Sequence, residues 1–228
     1  MPETTSDDRL TPDLWRRVDA YLTETLVGHE AGLDDAVADQ SAAGLPPIEV
    51  APVNGKLLHL IARMSGARRV LEIGTLGAYS TIWLARAVPA DGRVVTIEAE
   101  PHIADIARAN LDRAGVGEKV DILLGRGADV LPTLVDQEPF DLVFIDADKE
   151  SNTIYIDWAA RLGRAGTVVV VDNTVRGGEV ANPATENPQI IGVQRGLEML
   201  GRDPRFDATA IQTLDAKGYD GIALALVV

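Results

Sequence analysis

The chain has 228 residues, 46% hydrophobic and 25% charged, with 21 Gly, 12 Pro and no Cys; it can bury one large core, and disulfides and thiolate chemistry are excluded. A formal net charge of -14 repels phosphate backbones and weighs against nucleic acid as a partner. No apolar run approaches the ~20 residues of a membrane helix, and the polar, acidic start resembles neither a signal nor a transit peptide, so the expected location is cytoplasmic.

After a short polar tail, TPDLWRRVDAYLTETL predicts a helix, with Thr11 as its cap and Pro12 in its first turn. Leu14, Val18, Leu22 and Leu26 recur at helical spacing, with Trp15 and Tyr21 alongside as interface anchors or core residues. DDAVADQSAAGLPPIEV predicts a weaker helix and a Gly/Pro-marked loop, and VNGKLLHLIARMSG a second amphipathic helix ending at Gly66. From there strand and helix alternate. The strand-like runs RVLEI, RVVTIE, VDILLG, FDLVFID and TVVVVD are separated by YSTIWLARAV, HIADIARANLDRAG, ADVLPTLVD and NTIYIDWAARLG. That pattern predicts five βα units and a parallel sheet covered on both faces. FDATAIQTL and DGIALALVV are joined too tightly for a parallel crossover, so they pair antiparallel. The run Ile222 to Val228 is too apolar for an exposed edge and is placed inside the sheet. The expected fold class is α/β: one doubly wound, Rossmann-like sheet of seven strands, the last antiparallel, in a single domain over 1–228. Residues 1–47 form a helical cover or interface and 48–228 the core.

In VLEIGTLGAYS, Gly74 and Gly77 let a strand-to-helix turn approach a ligand closely. Ligands of such sheets bind at the carboxyl ends of the strands. The spacing is G-x-x-G; the dinucleotide fingerprint G-x-G-x-x-G is absent, which weighs against a nicotinamide-dependent oxidoreductase. Glu98 closes the second strand, where a carboxylate can accept both ribose hydroxyls. Glu72 is expected to point from the first strand into the same crevice.

FIDADKE runs a buried strand into Asp146, Asp148, Lys149 and Glu150, and Val168 to Val171 ends in Asp172 and Asn173. If these strands are neighbours, Asp146 and Asp172 emerge side by side, and Asn173 adds an amide oxygen. Such an all-oxygen half-shell suits Mg²⁺, Mn²⁺ or Ca²⁺. It does not suit zinc, and His29, His59 and His102 lack ligand spacing. The plainer alternative is that these acids and the amide cap the following helices. That plainer role is assigned to Asp148 and Asp129 as caps and to Glu150 as a first-turn acid.

Taken together and in order, LEIGTLGAYS, VVTIEAEP, FIDADKE and VVVVDNTVRGGEV make the chain resemble class I S-adenosylmethionine (SAM)-dependent O-methyltransferases. The likeness is to the cation-dependent catechol and caffeoyl-CoA group and runs from about Ile48 to the C-terminus. It implies that Val50 and the Gly74–Thr75 turn border the methionine part of SAM, with Glu72 and Ser80 nearby and Asp146 at the same edge. It implies that Glu98 holds the ribose and that Gly127 and Ala128 lie along the adenine. A divalent cation, most simply Mg²⁺, is implied at Asp146, Asp172 and Asn173, with Lys149 as the base; a free lysine, with its pKa of about 10.4, must be lowered by desolvation and the cation to serve. One departure is Ala78, where the family usually has Gly. The implied substrate is a catechol-like small molecule, shaped by the loop Arg176 to Gln189, and the implied assembly a homodimer. Methylation of a tRNA hydroxyl is the same chemistry on an acceptor that the -14 charge disfavours. A non-catalytic binding protein would not require the metal-and-lysine set.

Overall fold

The computed structural model describes residues 11–228; the polar tail expected at the N-terminus lies outside them. Thr11 caps α1 (Pro12–Leu22), its hydroxyl accepting from Leu14 N at 3.3 Å, with Pro12 at the first position. The helix continues through a wider turn, Thr23–Val27, and stops at Gly28. Helices α2 (Ala31–Ala42) and α3 (Pro52–Met64) follow. Gly66, at φ +67°, ends α3, and Ala67 N returns to Ala62 O at 2.9 Å.

The seven strands are β1 (Arg69–Ile73), β2 (Arg93–Glu98), β3 (Val120–Leu124), β4 (Leu142–Ile145), β5 (Val168–Asp172), β6 (Phe206–Asp215) and β7 (Gly218–Val227). They lie in the order β3-β2-β1-β4-β5-β7-β6. All pairs up to β4–β5 are parallel; β7 runs antiparallel to both β5 and β6. The apolar β7 therefore sits inside the sheet and the largely exposed β6 takes the edge. The connecting helices are α4 (Tyr79–Ala87), α5 (Pro101–Arg113), the short α6 (Gly127–Val130), α7 (Asn152–Leu162) and α8 (Pro188–Arg202). The reading of the sequence does not name α8.

Strand side chains alternate between two cores, as a period of two requires. Val70, Leu142, Phe144 and Val170 pack with α3, α4 and α5 on one face. Leu71, Ile73, Val143, Ile145, Val169 and Val171 pack with α7 and α8 on the other. Each such side chain, removed from water, contributes about 1.5–3 kcal/mol. Helix α1 differs: its one buried residue is Asp19, and Tyr21 is 66% exposed, so Tyr21 is not a core residue. Among the described residues no helix is long and apolar enough to cross a membrane.

Candidate active site

A cavity of about 800 Å³ opens at the carboxyl ends of β1, β2, β4 and β5, around the point where the strand order reverses. Its floor is the turn after β1. Gly74 takes φ +100°, and a Cβ there would lie 2.1 Å from Asp146 O, so the turn lies directly against the end of β4. Leu76 and Ala78 also take positive φ, 48° and 66°. Ala78 stands where the resemblance expects Gly and itself adopts the left-handed conformation.

Of the residues expected to hold a cofactor, Val50, Gly74, Thr75, Ser80, Glu98, Gly127 and Asp146 line this cavity. Glu98 is fixed by two backbone donors, Leu76 N at 2.9 Å and Glu100 N at 3.0 Å. Two expectations are corrected. Glu72 does not point into the crevice: it is fully buried beneath α4, where Ser80 Oγ (2.6 Å), Thr96 Oγ1 (2.7 Å) and Thr81 Oγ1 donate to it. Burial pushes its carboxyl up to about 7 against those three hydroxyls. It shares the face of Val70, toward α4, and connects to the cavity only indirectly, through Ser80 and through Thr96 to Thr75 (2.6 Å). Ala128 does not line the cavity either; the chain enters α6 at Gly127, and Gly125, Arg126 and Gly127 form that wall.

At the other half of the cavity, β4 and β5 are neighbours and Ile145 is in register with Val171. Asp146 and Asp172 therefore leave the sheet side by side. Asp146 and Asn173 line the main cavity, whereas Asp172 is buried behind them and faces a small second cavity. Burial and then the Asp146 charge push the Asp172 carboxyl up, while Lys149 opposes this. Asn173 donates through Nδ2 to Asp220 Oδ2 at 3.3 Å, which leaves its amide oxygen uncommitted. Lys149, 6% exposed, places Nζ 2.7 Å from Asp146 Oδ1. Among the described residues no cluster of three or more His, Asp or Glu is arranged to hold a metal; the candidate shell is two carboxylates and one amide oxygen.

The environment of Lys149 depends on α8. A Cβ on Gly192 would meet Lys149 O at 2.2 Å and Glu150 Cα at 2.7 Å, and one on Gly196 would meet Asn152 Cβ at 3.1 Å. The glycines let α8 press directly on the backbone that carries the lysine. Asp148 holds the N-cap position of the short turn Lys149–Ser151, as expected, but its carboxylate accepts from the hydroxyls of Tyr155 and Ser151 and not from a backbone N–H. Burial, then Asp148, raises the Tyr155 phenol, so Tyr155 stays a proton donor. Asp129 is not a cap; Arg126 holds that position and Asp129 lies in the first turn of α6. Glu150 is a first-turn acid, as expected. The expected loop ends earlier than 189, because α8 begins at Pro188; Arg176 and Gln189, the latter in the first turn of α8, reach the cavity and are joined by a 3.0 Å hydrogen bond.

Comparison with known proteins adds three findings. Residues 27–227 match the family model described as O-methyltransferase. A catechol O-methyltransferase of Mycobacterium tuberculosis is 54% identical over 210 residues, covering 92% of this chain and 94% of that protein. Two solved structures superpose closely. The O-methyltransferase from Bacillus cereus in complex with SAH has a TM-score of 0.94 at 44% identity, covering 96% of this chain and 100% of that one. The O-methyltransferase TomG from Streptomyces achromogenes in complex with SAM has a TM-score of 0.93 at 47% identity, covering 96% and 99%. The seven-stranded sheet with its reversed strand and the match along nearly the whole chain lead to one conclusion: the chain belongs to the O-methyltransferase family.

Proposed function

We propose that the protein transfers a methyl group from SAM to one hydroxyl of a catechol-like small molecule, with a divalent cation held by Asp146, Asp172 and Asn173. The observation that carries this reading is the Lys149–Asp146 pair, 2.7 Å apart, lining the same cavity as the glycine turn and Glu98. The relatives named above support the donor and, through the mycobacterial protein's name, the acceptor. The donor set fits a hard cation: two carboxylates on neighbouring strands and one amide oxygen supply only oxygen donors, Lys149 pairs with Asp146 alone among the described residues, and Asp172 is pushed up by burial and then by the Asp146 charge. A cation bound there supplies charge that favours the acceptor's oxyanion, since a free phenol has a pKa of about 10.

The chain's own groups do the rest. Glu98, held by its two backbone donors, accepts from the ribose hydroxyls. Val50 and the turn at Gly74 pack on the methionine part, and Ser80, whose proton goes to Glu72, keeps lone pairs free to accept from an ammonium. Lys149, once it has given its own proton to solvent, takes the acceptor's proton; with Asp146 committed to a cation, the lysine is freed from that carboxylate. One C–O bond forms as one C–S bond breaks, and the electron pair goes to sulfur. Alignment of oxygen, carbon and sulfur within the cavity supplies much of the rate. Exhaustive chelation is expected to abolish turnover on catechol and Mg²⁺ to restore it. Lys149→Ala is expected to lower kcat by about 10²–10⁴-fold while SAH still binds. Full activity after chelation would remove the cation from this reading, and a wild-type rate for Lys149→Ala at pH 7 would remove the base.

The same reading includes a cytoplasmic homodimer. Tyr21 and Leu26 near α1, Met64 on α3 and Ile211 on β6 are exposed apolar side chains on segments that pack against one another. A second copy of this chain is the occupant that a self-complementary apolar face suits. Light scattering is expected to give twice the chain mass, falling to one chain mass for Tyr21→Glu; a monomeric wild type overturns it.

A further inference from the structure

The wall beside Val50 is the segment 46–51, which joins α2 to α3 without helix or strand of its own. Ile48, Glu49 and Val50 line the cavity. Among the described residues no backbone-to-backbone hydrogen bond ties this segment to a strand. It is held instead by two side chains from outside it, which reach the Glu49 carboxylate and the segment's own carbonyls. Gln40 of α2 donates through Nε2 to Glu49 Oε2 at 2.6 Å and to Pro46 O at 2.7 Å. Lys217, in the turn between β6 and β7, donates through Nζ to Glu49 Oε1 at 2.8 Å, to Pro47 O at 3.4 Å and to Glu49 O.

Both holders reach further. Gln40 is 2% exposed, and its other amide atom, Oε1, lies 2.7 Å from where a Cβ on Gly77 would stand. One buried amide therefore packs on the glycine turn and grips the segment opposite it. Lys217 is set by Asp215, whose Oδ1 accepts from Lys217 N at 2.8 Å and whose Oδ2 accepts from Asn54 Nδ2 of α3 at 3.0 Å. The segment is pinned from two directions, the two pins meeting at the Glu49 carboxylate and each also taking a backbone carbonyl of the segment. The two pins differ in kind. The Gln40 side is buried and neutral, while the Lys217 side is ionic and partly exposed, so dissolved salt reaches it.

We propose that Glu49, Gln40 and Lys217 form a clasp that holds the segment 46–51 closed over the cofactor and sets how fast the cofactor leaves. This rests on the reading of the cavity as the SAM site. These are positioning residues, acting through Ile48 and Val50. Opening the segment requires breaking the ionic pin first, because the buried amide is backed by the turn itself. The β6–β7 turn, at the edge of the sheet, thereby controls retention of a ligand bound at its centre.

The test is dissociation of radiolabelled SAH from the full-length protein. Lys217→Met is expected to raise koff for SAH about three- to tenfold. It is expected to change KM for SAM more than kcat, and Lys217→Arg to restore koff to within about twofold of wild type. Raising salt from about 50 mM to about 500 mM is expected to speed SAH release from the wild type and not from Lys217→Met. That salt comparison on the wild type stands even where a variant folds poorly. A koff for Lys217→Met equal to wild type, or wild-type release indifferent to salt, overturns the clasp. Failure of the wild type to bind SAH at all overturns the cofactor reading first and the clasp with it.

Discussion

At the β1–β2 end of the cavity a buried carboxylate, Glu72, is met by three hydroxyls and no cation. At the β4–β5 end two carboxylates, Asp146 and Asp172, are met by one lysine. Both ends carry an acid raised first by burial and also by the Asp146 charge; they differ in what opposes it. At Glu72 three hydroxyl hydrogen bonds oppose the rise; at Asp172 the Lys149 charge does, and the like charge of Asp146 weighs second only to burial. The first arrangement is saturated and closed, so it fixes the turn that borders the cofactor. The second lacks positive charge and faces an opening, which is the electrostatic signature of a site awaiting a ligand.

The largest effect is expected where α8 supports the charged end. Gly192→Ala puts a methyl 2.2 Å from Lys149 O, on backbone that cannot yield like a side-chain tip. A displacement of about 1 Å at a reacting group can cost about a hundredfold in rate. We expect kcat to fall by about that factor while SAH affinity, set at the other end, changes by less than about twofold. Equal losses in SAH binding and kcat would show that the two ends do not act separately. An unchanged kcat would show that Lys149 does not depend on α8.

The strands, their parallel order and the reversed β7 were legible in the sequence because apolar runs of five or so residues bounded by glycine and charge admit few other readings. The pairing of Asp146 with Asp172 followed from adjacent parallel strands. Helix α8 went unnamed because Gly192 and Gly196 interrupt its helical composition; they serve contact with Lys149 and Asn152, a tertiary demand that propensity does not express. The direction of Glu72 was available in principle. A period of two puts it on the face of Val70, toward α4, and Ser80 and Thr81 lie there to receive it. The pull of a nearby ligand site masked that reading. Asp148 was assigned to a cap by residue type and holds that position, yet its carboxylate takes the hydroxyl of Tyr155, one side of α7 away, and not a backbone N–H. The clasp at Glu49 joins residues 168 positions apart in sequence, and no local pattern announces it.

Glu72 allows the comparison to be tested through stability. Its carboxyl rises from an ordinary 4.5 to about 7 in the folded protein. The folded state therefore holds this proton more tightly than the unfolded one. Stability from this group is fully present below about pH 4.5, is lost as pH rises toward 7, and stays lost above it. At about 1.4 kcal/mol per pKa unit the window is worth about 3 kcal/mol. Glu72→Gln keeps the shape, and the three hydroxyls can rotate to serve an amide. Other carboxylates give the whole protein its own pH slope, so the informative quantity is the difference between variant and wild type. In urea unfolding, Glu72→Gln is expected to gain about 3 kcal/mol relative to wild type between about pH 4.5 and pH 8, and the gain should concentrate below pH 7. A difference that does not vary with pH would mean that Glu72 is ionised throughout, its hydroxyls having overcome burial. The β1–β2 end would then carry a fixed negative charge beside the cavity, and the contrast between a saturated and an unsaturated half would fail.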